Sequence, residues 1–327
     1  MIPGKIIRSM LRPISQPVLC NYYITTKCNA KCIFCNIHRQ KGIHANYDDV
    51  IENLHGLHRM GVRFIDFTGG EPLMHPRIQH VLTEADKLGF ITTVTTNTLE
   101  YPSRAGDIAG LVDLLHFSLD SMDREQHNKL RGVPCFDSVM ESIDIALSLG
   151  EKPDILFTVS SINIDQLEHM ITFAQQKRLV LIINPVFSYY GNKQAENRVL
   201  QMVLAASRRS YVYVNSGIVR FMAAGGNSIQ NPRCKAVTTA IAVSPDNCLY
   251  MPCFHKHTAM IPVTGSIEQT FDSPEVESYA KKQGTFTFCD SCAISCYLDS
   301  SFTIGKDSFS LSSGLSKIRY TWYKYFR

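Results

Sequence analysis

The chain of 327 residues has little charge bias and no long apolar run. Lys and Arg number 33 against 29 Asp and Glu, a formal charge of +4. Without a basic block or an aromatic-basic repeat, nothing here calls for nucleic acid. No run reaches the roughly 18 apolar residues of a membrane span, so no transmembrane segment is expected. Residues 1–17 carry Lys5, Arg8, Arg12 and Pro13 among apolar residues, which breaks the continuous apolar centre of a secretory signal. A cytoplasmic location is the expectation. There is no internal repeat or low-complexity stretch, and one tryptophan, Trp322.

Cysteine, by contrast, is plentiful at 11 residues. Their short, clustered spacings read as metal ligation more readily than as disulfides, which fits a reducing compartment. A hydrophobic content of 45% supports a substantial core, and the length suggests about two domains.

From residue 18, β-rich runs alternate with helical patterns, predicting βα units and a parallel sheet. Strands are expected at Val18 to Thr25, Arg63 to Thr68, Phe90 to Thr96, Leu114 to Asp120, Ile155 to Ser160 and Leu179 to Val186. Helices are expected at Asp48 to Met60, Pro76 to Leu88, Phe136 to Leu149 and Asp165 to Gln176, with Gly61, Gly89 and Gly150 as C-terminal caps. Past about residue 215 the alternation stops, and Gly225-Gly226 with Asn231-Pro232 marks a boundary. Ala240 to Met251 reads as a hairpin around Pro245-Asp246-Asn247.

The most informative stretch is Cys28-Asn-Ala-Lys-Cys32-Ile-Phe-Cys35, which closes the first strand. Three thiolates can hold an iron-sulfur cluster and leave one iron unclaimed by protein, whereas structural zinc takes four ligands. A zinc knuckle or buried apolar thiols are the alternatives. Gly69-Gly70-Glu71-Pro72 follows the second strand. Paired glycines let backbone approach a ligand closely, and Glu71 can compensate an ammonium. Thr95-Thr96-Asn97, Ser118-Leu-Asp120-Ser121 and Ser160 with Asn163 close the next three strands. Together they make a polar rim at the carboxyl ends, where parallel barrels gather active groups, although each alone reads as a cap or turn. The planar fork of Arg131 suits either a ligand carboxylate or a plain salt bridge.

The C-x3-C-x2-C spacing with aromatic Phe34, followed by Gly-Gly-Glu-Pro, resembles the radical SAM superfamily. The resemblance implies an α/β chain, a partial (β/α)6 TIM-like barrel open on one side. It implies a 4Fe-4S cluster on Cys28, Cys32 and Cys35 whose free iron is chelated by S-adenosylmethionine (SAM). The methionine amine would fall to Gly69, Gly70, Glu71 and Pro72, and the ribose and carboxylate to Thr96, Asn97, Ser118, Asp120, Arg131 and Asn163. One electron, from a flavodoxin- or ferredoxin-type donor, would cleave SAM to methionine and a 5'-deoxyadenosyl radical. It assigns no catalytic residue.

Cys234 before the hairpin, Cys253 after it and Cys289-x2-Cys292 downstream resemble the twitch domain, the shortened form of the SPASM extension. This implies a second 4Fe-4S cluster. The glycine usual before the Leu-Tyr-x-Pro-Cys element is replaced around Asn247-Cys248, and Cys296 stands as a substitute ligand; zinc also suits four thiolates. The expected organisation is a basic amphipathic segment (1–17), a radical SAM core (18–215), a twitch-like auxiliary domain (216–300) and a basic-aromatic tail (301–327). Cys20, Cys135 and Cys248 read as buried or incidental thiols, and His255 and His257 as a solvated edge.

Only 17 residues precede the first strand, which inclines the substrate towards a small molecule rather than a peptide with a leader. Phe187, Tyr189 and Tyr190 would give the barrel mouth an aromatic lining suited to a flat, hydrophobic one. The basic and bulky apolar stretches Lys5 to Arg12 and Lys317 to Arg327 either make peripheral membrane contact, dock a ligand or pack as caps. The reading is a radical SAM oxidoreductase, with methyl oxidation of a tetrapyrrole as the specific case, similar to the bacteriochlorophyllide C-7 hydroxylases. A peptide maturase or radical dehydrogenase comes next, and an iron-sulfur carrier or scaffold is the non-enzyme alternative. The molybdenum-cofactor cyclase family shares the plan, but the ending Tyr325-Phe326-Arg327 lacks its glycine pair, so it stands lower.

Overall fold

The computed structural model describes residues 17–326. Seven strands follow one another in parallel: β1 (Leu19–Thr25), β2 (Phe64–Gly69), β3 (Ile91–Thr96), β4 (Leu114–Ser118), β5 (Asp154–Val159), β6 (Leu181–Pro185) and a short β7 (Val212–Tyr213). The connecting helices are α1 (Tyr47–Arg59), α2 (Ile78–Lys87), α3 (Tyr101–Ile108), α4 (Arg124–Arg131), α5 (Phe136–Ser148), α6 (Leu167–Lys177) and α7 (Asn197–Ala206). The first six strands stand where the alternation of runs placed them. Asn46 opens α1 by accepting from the backbone of Asp48 and Asp49. Gly61, Gly89 and Gly150, with φ of 81°, 80° and 77°, follow α1, α2 and α5 as expected.

The strands have two unlike faces, because successive side chains point to opposite sides. Cys20, Tyr22, Ile24, Ile65, Phe67, Val94, Leu115, Phe117, Ile155 and Phe157 pack outward under the helices as the main core. The other face carries Asn21, Asp66, Thr93, Thr95, His116, Thr158 and Asn184. Parallel strands buried on both sides are normally apolar throughout. A polar inner face therefore marks a chamber.

The remainder forms α8 (Ser216–Ala223), α9 (Ala236–Thr239), β8 (Ala240–Val243), β9 (Cys248–Met251), β10 (Ala259–Pro262), α10 (Ile267–Phe271), α11 (Pro274–Lys282), α12 (Ser295–Ile304) and α13 (Ser308–Tyr325). The hairpin β8–β9 forms as expected, with Asn247 at φ 57° in its turn. β8 lies parallel to β1, pairing Leu19 with Ala240 through Tyr22 with Val243, so all ten strands make one sheet in the order β10-β9-β8-β1-β2-β3-β4-β5-β6-β7. The cysteine loop after β1 is thus flanked by core and hairpin alike.

α13 closes the far side. A Cβ on Gly217 would meet the Phe309 carbonyl oxygen at 2.2 Å, so only glycine lets α8 and α13 approach this closely. Lys324 Nζ and the Tyr320 hydroxyl bond the buried Asp154 carboxylate at 2.8 and 2.6 Å. Among the described residues no helix is long and apolar enough to cross a membrane. The amphipathic segment 1–17 lies, but for its last residue, outside the described residues.

Candidate metal and cofactor site

Cys28, Cys32 and Cys35 are partly buried, and all the cysteines of the chain are free thiols. Their loop is stapled to the end of α4: Lys31 N donates to Arg131 O at 2.9 Å and Ile33 N to Leu130 O at 3.0 Å. The Gly69–Pro72 loop presses from the other side, with Gly70 N to Thr25 O and Glu71 N to Lys27 O, each 2.8 Å. A Cβ on Gly70 would stand 2.0 Å from the Lys27 carbonyl oxygen, so the pair of loops requires glycine there. Pro72 then opens a short 3-10 turn, Pro72–Met74.

Glu71 is buried and accepts from Leu73 N at 3.1 Å and Asn97 N at 2.8 Å. Burial pushes its carboxyl up to about 7, against the pull of those donors. Asn97 in turn donates to Asn29 Oδ1 at 2.8 Å and points its Nδ2 at Cys28 Sγ, 3.9 Å away. Burial pushes the Cys28 thiol up to about 12, with Glu71, Cys32 and Cys35 adding to it. A protonated thiol at neutral pH is what a cation or cluster must displace.

Arg131 lies in a buried ion pair, Nη2 to Asp120 Oδ2 at 2.7 Å, with Nη1 3.7 Å from Cys32 Sγ and its guanidinium 5.4 Å from the Phe34 ring centroid. Asp120 also accepts from Thr158 N at 2.9 Å. Asn163 spans the same strand ends, donating to Asp120 O and Thr158 O at 2.9 and 3.0 Å and accepting from Ser160 N at 2.9 Å. The Thr96 hydroxyl accepts from Thr98 N at 2.9 Å, and Ser118 is buried on β4. Of the polar residues singled out in the sequence, Glu71, Asn97 and Arg131 thus stand beside the thiols. Thr96, Asp120 and Asn163 brace the backbone behind them.

Cys234, Cys253, Cys289 and Cys292 line one enclosed hollow with Ala236, Pro252, Lys256, Ile294 and Tyr297. The side chain of Asn227 gathers its edges, donating to Gly284 O and Cys289 O at 2.8 and 3.1 Å and accepting from Arg233 N and Cys234 N at 2.9 and 3.2 Å. Burial pushes the Cys234 thiol up to about 12. Among the described residues no three His, Cys, Asp or Glu side chains converge as a single metal ion needs. A zinc ion draws its sulfurs in with bonds of about 2.3 Å, whereas a four-iron cluster holds one thiolate at each corner and spreads them. Four thiols on largely apolar walls fit a closed four-iron cluster in the hollow, and three thiols in one loop fit a cluster that leaves one iron unclaimed by protein.

An aromatic cluster separates the two sets of thiols. Tyr23, Tyr250, Phe254 and Tyr297 form its core, and Phe187, Tyr189, Cys28, Cys35, Cys234, Cys253 and Cys292 pack against it. Tyr23 stacks on Phe254 at 4.0 Å between centroids, and the Tyr189 hydroxyl donates to Asn36 Oδ1 at 3.1 Å. Phe187 and Tyr189 pack against this cluster, and Tyr190 is exposed. His255 is no solvated edge: its ring lies 4.6 Å from Tyr189 and 5.4 Å from Phe187, and burial pushes its pKa down to about 3. Only His257 is exposed. Cys20 and Cys135 are buried, the latter with its sulfur 3.3 Å from His127 Nε2.

Sequence reading missed the floor of the chamber. Asn21 and Asp66 are register partners on β1 and β2, and among the described residues the buried Asn21 Nδ2 and Asp66 Oδ1 have no hydrogen-bond partner. Burial lifts the Asp66 carboxyl to about 6, partly offset by nearby His116. Cys296, exposed on α12, lies within electrostatic reach of Asp66 and does not line the four-thiol hollow. The available signal was Asp66 and Thr68 alternating with Ile65 and Phe67, an inward polar face in a strand otherwise fit for a core.

Comparison with known proteins agrees with this geometry. The family model described as the radical SAM superfamily matches residues 22–174. The chain is 33% identical over 177 residues to the probable GTP 3',8-cyclase of Methanocella arvoryzae, covering 51% of this chain and 56% of that protein. It is 31% identical over 153 residues to the GTP 3',8-cyclase of Clostridium acetobutylicum, covering 44% and 48%. The chain therefore spans about half the length of these curated relatives. Among solved structures, Streptococcus suis SuiB bound to S-adenosylmethionine shares the fold with a TM-score of 0.67 at 17% identity, over 94% of this chain and 80% of that one. With the three-thiol loop held between the Gly69–Pro72 loop and the end of α4, at the carboxyl ends of a parallel sheet, the chain carries a radical SAM domain at residues 22–174.

Proposed function

We propose that the chain holds a 4Fe-4S cluster on Cys28, Cys32 and Cys35 and cleaves S-adenosylmethionine, drawing electrons from a flavodoxin- or ferredoxin-type donor. When bound, these cofactors supply a 5'-deoxyadenosyl radical that takes hydrogen from unactivated carbon. One observation carries the reading: the cysteine loop, the Gly69–Pro72 loop and Asn97 meet around Cys28, beside a polar chamber. Backbone of Gly69 to Glu71 and the Asn97 turn receive the methionine end, Glu71 ties the two together by accepting from Leu73 N and Asn97 N, and Arg131 sets a cation against Cys32. The four-thiol hollow is proposed to hold the second cluster.

The substrate reading rests on the walls. An aromatic side formed by Phe187 and Tyr189 and a polar floor of Asn21 and Asp66 suit a flat, largely hydrophobic small molecule with one polar group. Oxidation of a tetrapyrrole methyl group is the case we propose. After hydrogen abstraction the carbon would lose one electron to the iron-sulfur group proposed for the four-thiol hollow, water would add, and Asp66 would take the proton released.

The names of the curated relatives favour a second reading, cyclisation of GTP. A nucleoside triphosphate wants cations, yet no Lys or Arg stands on the inner face of strands β1 to β8, and Asp66 is an acid. Reconstituted protein given SAM, dithionite and either bacteriochlorophyllide or GTP separates the readings by mass spectrometry. A hydroxylated tetrapyrrole supports the first; a cyclised nucleotide with the tetrapyrrole unchanged overturns it.

A further inference from the structure

α13 is amphipathic in an unusual sense: its apolar stripe faces away from the protein. Leu311, Leu315, Ile318, Trp322 and Phe326 are each between 54% and 69% exposed, where most large apolar side chains of the chain are buried. At 3.6 residues per turn the five fall within an arc of about 80°. The helix's opposite face is fixed inward by the Asn215–Ser313 hydrogen bond at 2.9 Å, by Tyr320 and Lys324 on Asp154, and by the close approach of Gly217. The stripe therefore cannot rotate into the core without breaking a buried ion pair.

Charge and chemistry narrow what covers it. Between Ser308 and Tyr325 there is no Asp or Glu; Lys317 pairs with Asp299 and Lys324 with Asp154, which leaves Arg319 on the flank of the stripe. Trp322 stacks on Phe326 at 5.7 Å at the end of the stripe, as aromatic residues do at a headgroup boundary. A second copy of the chain is a poor fit. A stripe one helix wide along 18 residues offers on the order of 300 Å², against about 800 Å² per partner in a stable dimer, and it would bring like charges together.

We infer that the outer face of α13 is a membrane-docking surface that lies flat on anionic lipid, its apolar stripe at the acyl boundary and Arg319, on the flank of the stripe, among the headgroups. The helix is an interfacial one and does not cross the bilayer. The inference is independent of the substrate reading.

Full-length protein is mixed with vesicles of phosphatidylcholine alone or with phosphatidylglycerol, and read by flotation and by the emission of Trp322, the one tryptophan. The expected result is flotation with the anionic vesicles, a blue shift of that emission, loss of both at high salt, and a tenfold or greater drop in bound fraction for L315D/I318D, about what two buried leucine-sized side chains supply. Those variants change exposed positions, and circular dichroism checks their fold. Three results overturn the inference: no flotation and no blue shift; a dimer that L315D/I318D dissociates; or binding that appears only after residues 1–16 are deleted, which makes that segment the cover of the stripe.

Discussion

Arg131 is held between Asp120 and Cys32, 2.7 Å from the carboxylate on one side and 3.7 Å from the sulfur on the other. Asp120 is fully buried and Arg131 nearly so, and breaking such a pair leaves an uncompensated charge that costs about 3–5 kcal/mol. R131M should lower the urea midpoint of the cluster-free protein accordingly. R131K, which keeps the charge but loses the fork, should recover part of that loss. Because the same cation favours extra negative charge at Cys32, R131M should also make the bound cluster harder to reduce in a potentiometric titration.

The second cluster is assigned to the thiols that share a hollow. Single alanine variants of Cys234, Cys253, Cys289 and Cys292 should each lose about half of the bound iron after anaerobic reconstitution, as expected for one of two four-iron clusters. C296A should keep the wild-type content. Iron loss in C296A matching that of the other four would return Cys296 to the ligand set.

Asp66 sets a pH dependence whose sign is fixed by the raised carboxyl. In the folded chain it keeps its proton up to about 6, whereas the unfolded chain releases it near the ordinary carboxylate value. Its contribution to stability is present at low pH and is lost as pH rises through about 6. Glu71, raised to about 7 by burial, acts in the same direction over a neighbouring window, so D66N should remove only part of the slope. As a proton acceptor Asp66 must be ionised. Product formation should therefore rise through about pH 6, and D66N should lose about 10²–10⁴ in product while still cleaving SAM.

Strand positions, helix positions and the cysteine loop were legible because each rests on local pattern: alternation of runs, glycine caps, and ligands close together in sequence. The hairpin was legible from its Pro-Asp-Asn turn. Its pairing with β1 was not, since β8 has four residues and its partner lies more than 200 positions away. The roles of Asp120 and Asn163 as braces also needed three dimensions, because a polar strand end looks alike whether it faces a ligand or a neighbouring turn. His255 was misread because its buried surroundings come from Phe187, Tyr189 and Tyr297, all far off in sequence. Asp66 and Cys296 come within electrostatic reach of one another only through the fold, being 230 positions apart in sequence.

The most direct test of the central claim is the formation of 5'-deoxyadenosine by anaerobically reconstituted protein supplied with dithionite and SAM, compared with its C32A variant. The account predicts 5'-deoxyadenosine and methionine in equal amounts from the first and none from the second. A wild-type protein that carries its iron and sulfide in full yet leaves SAM intact would contradict it.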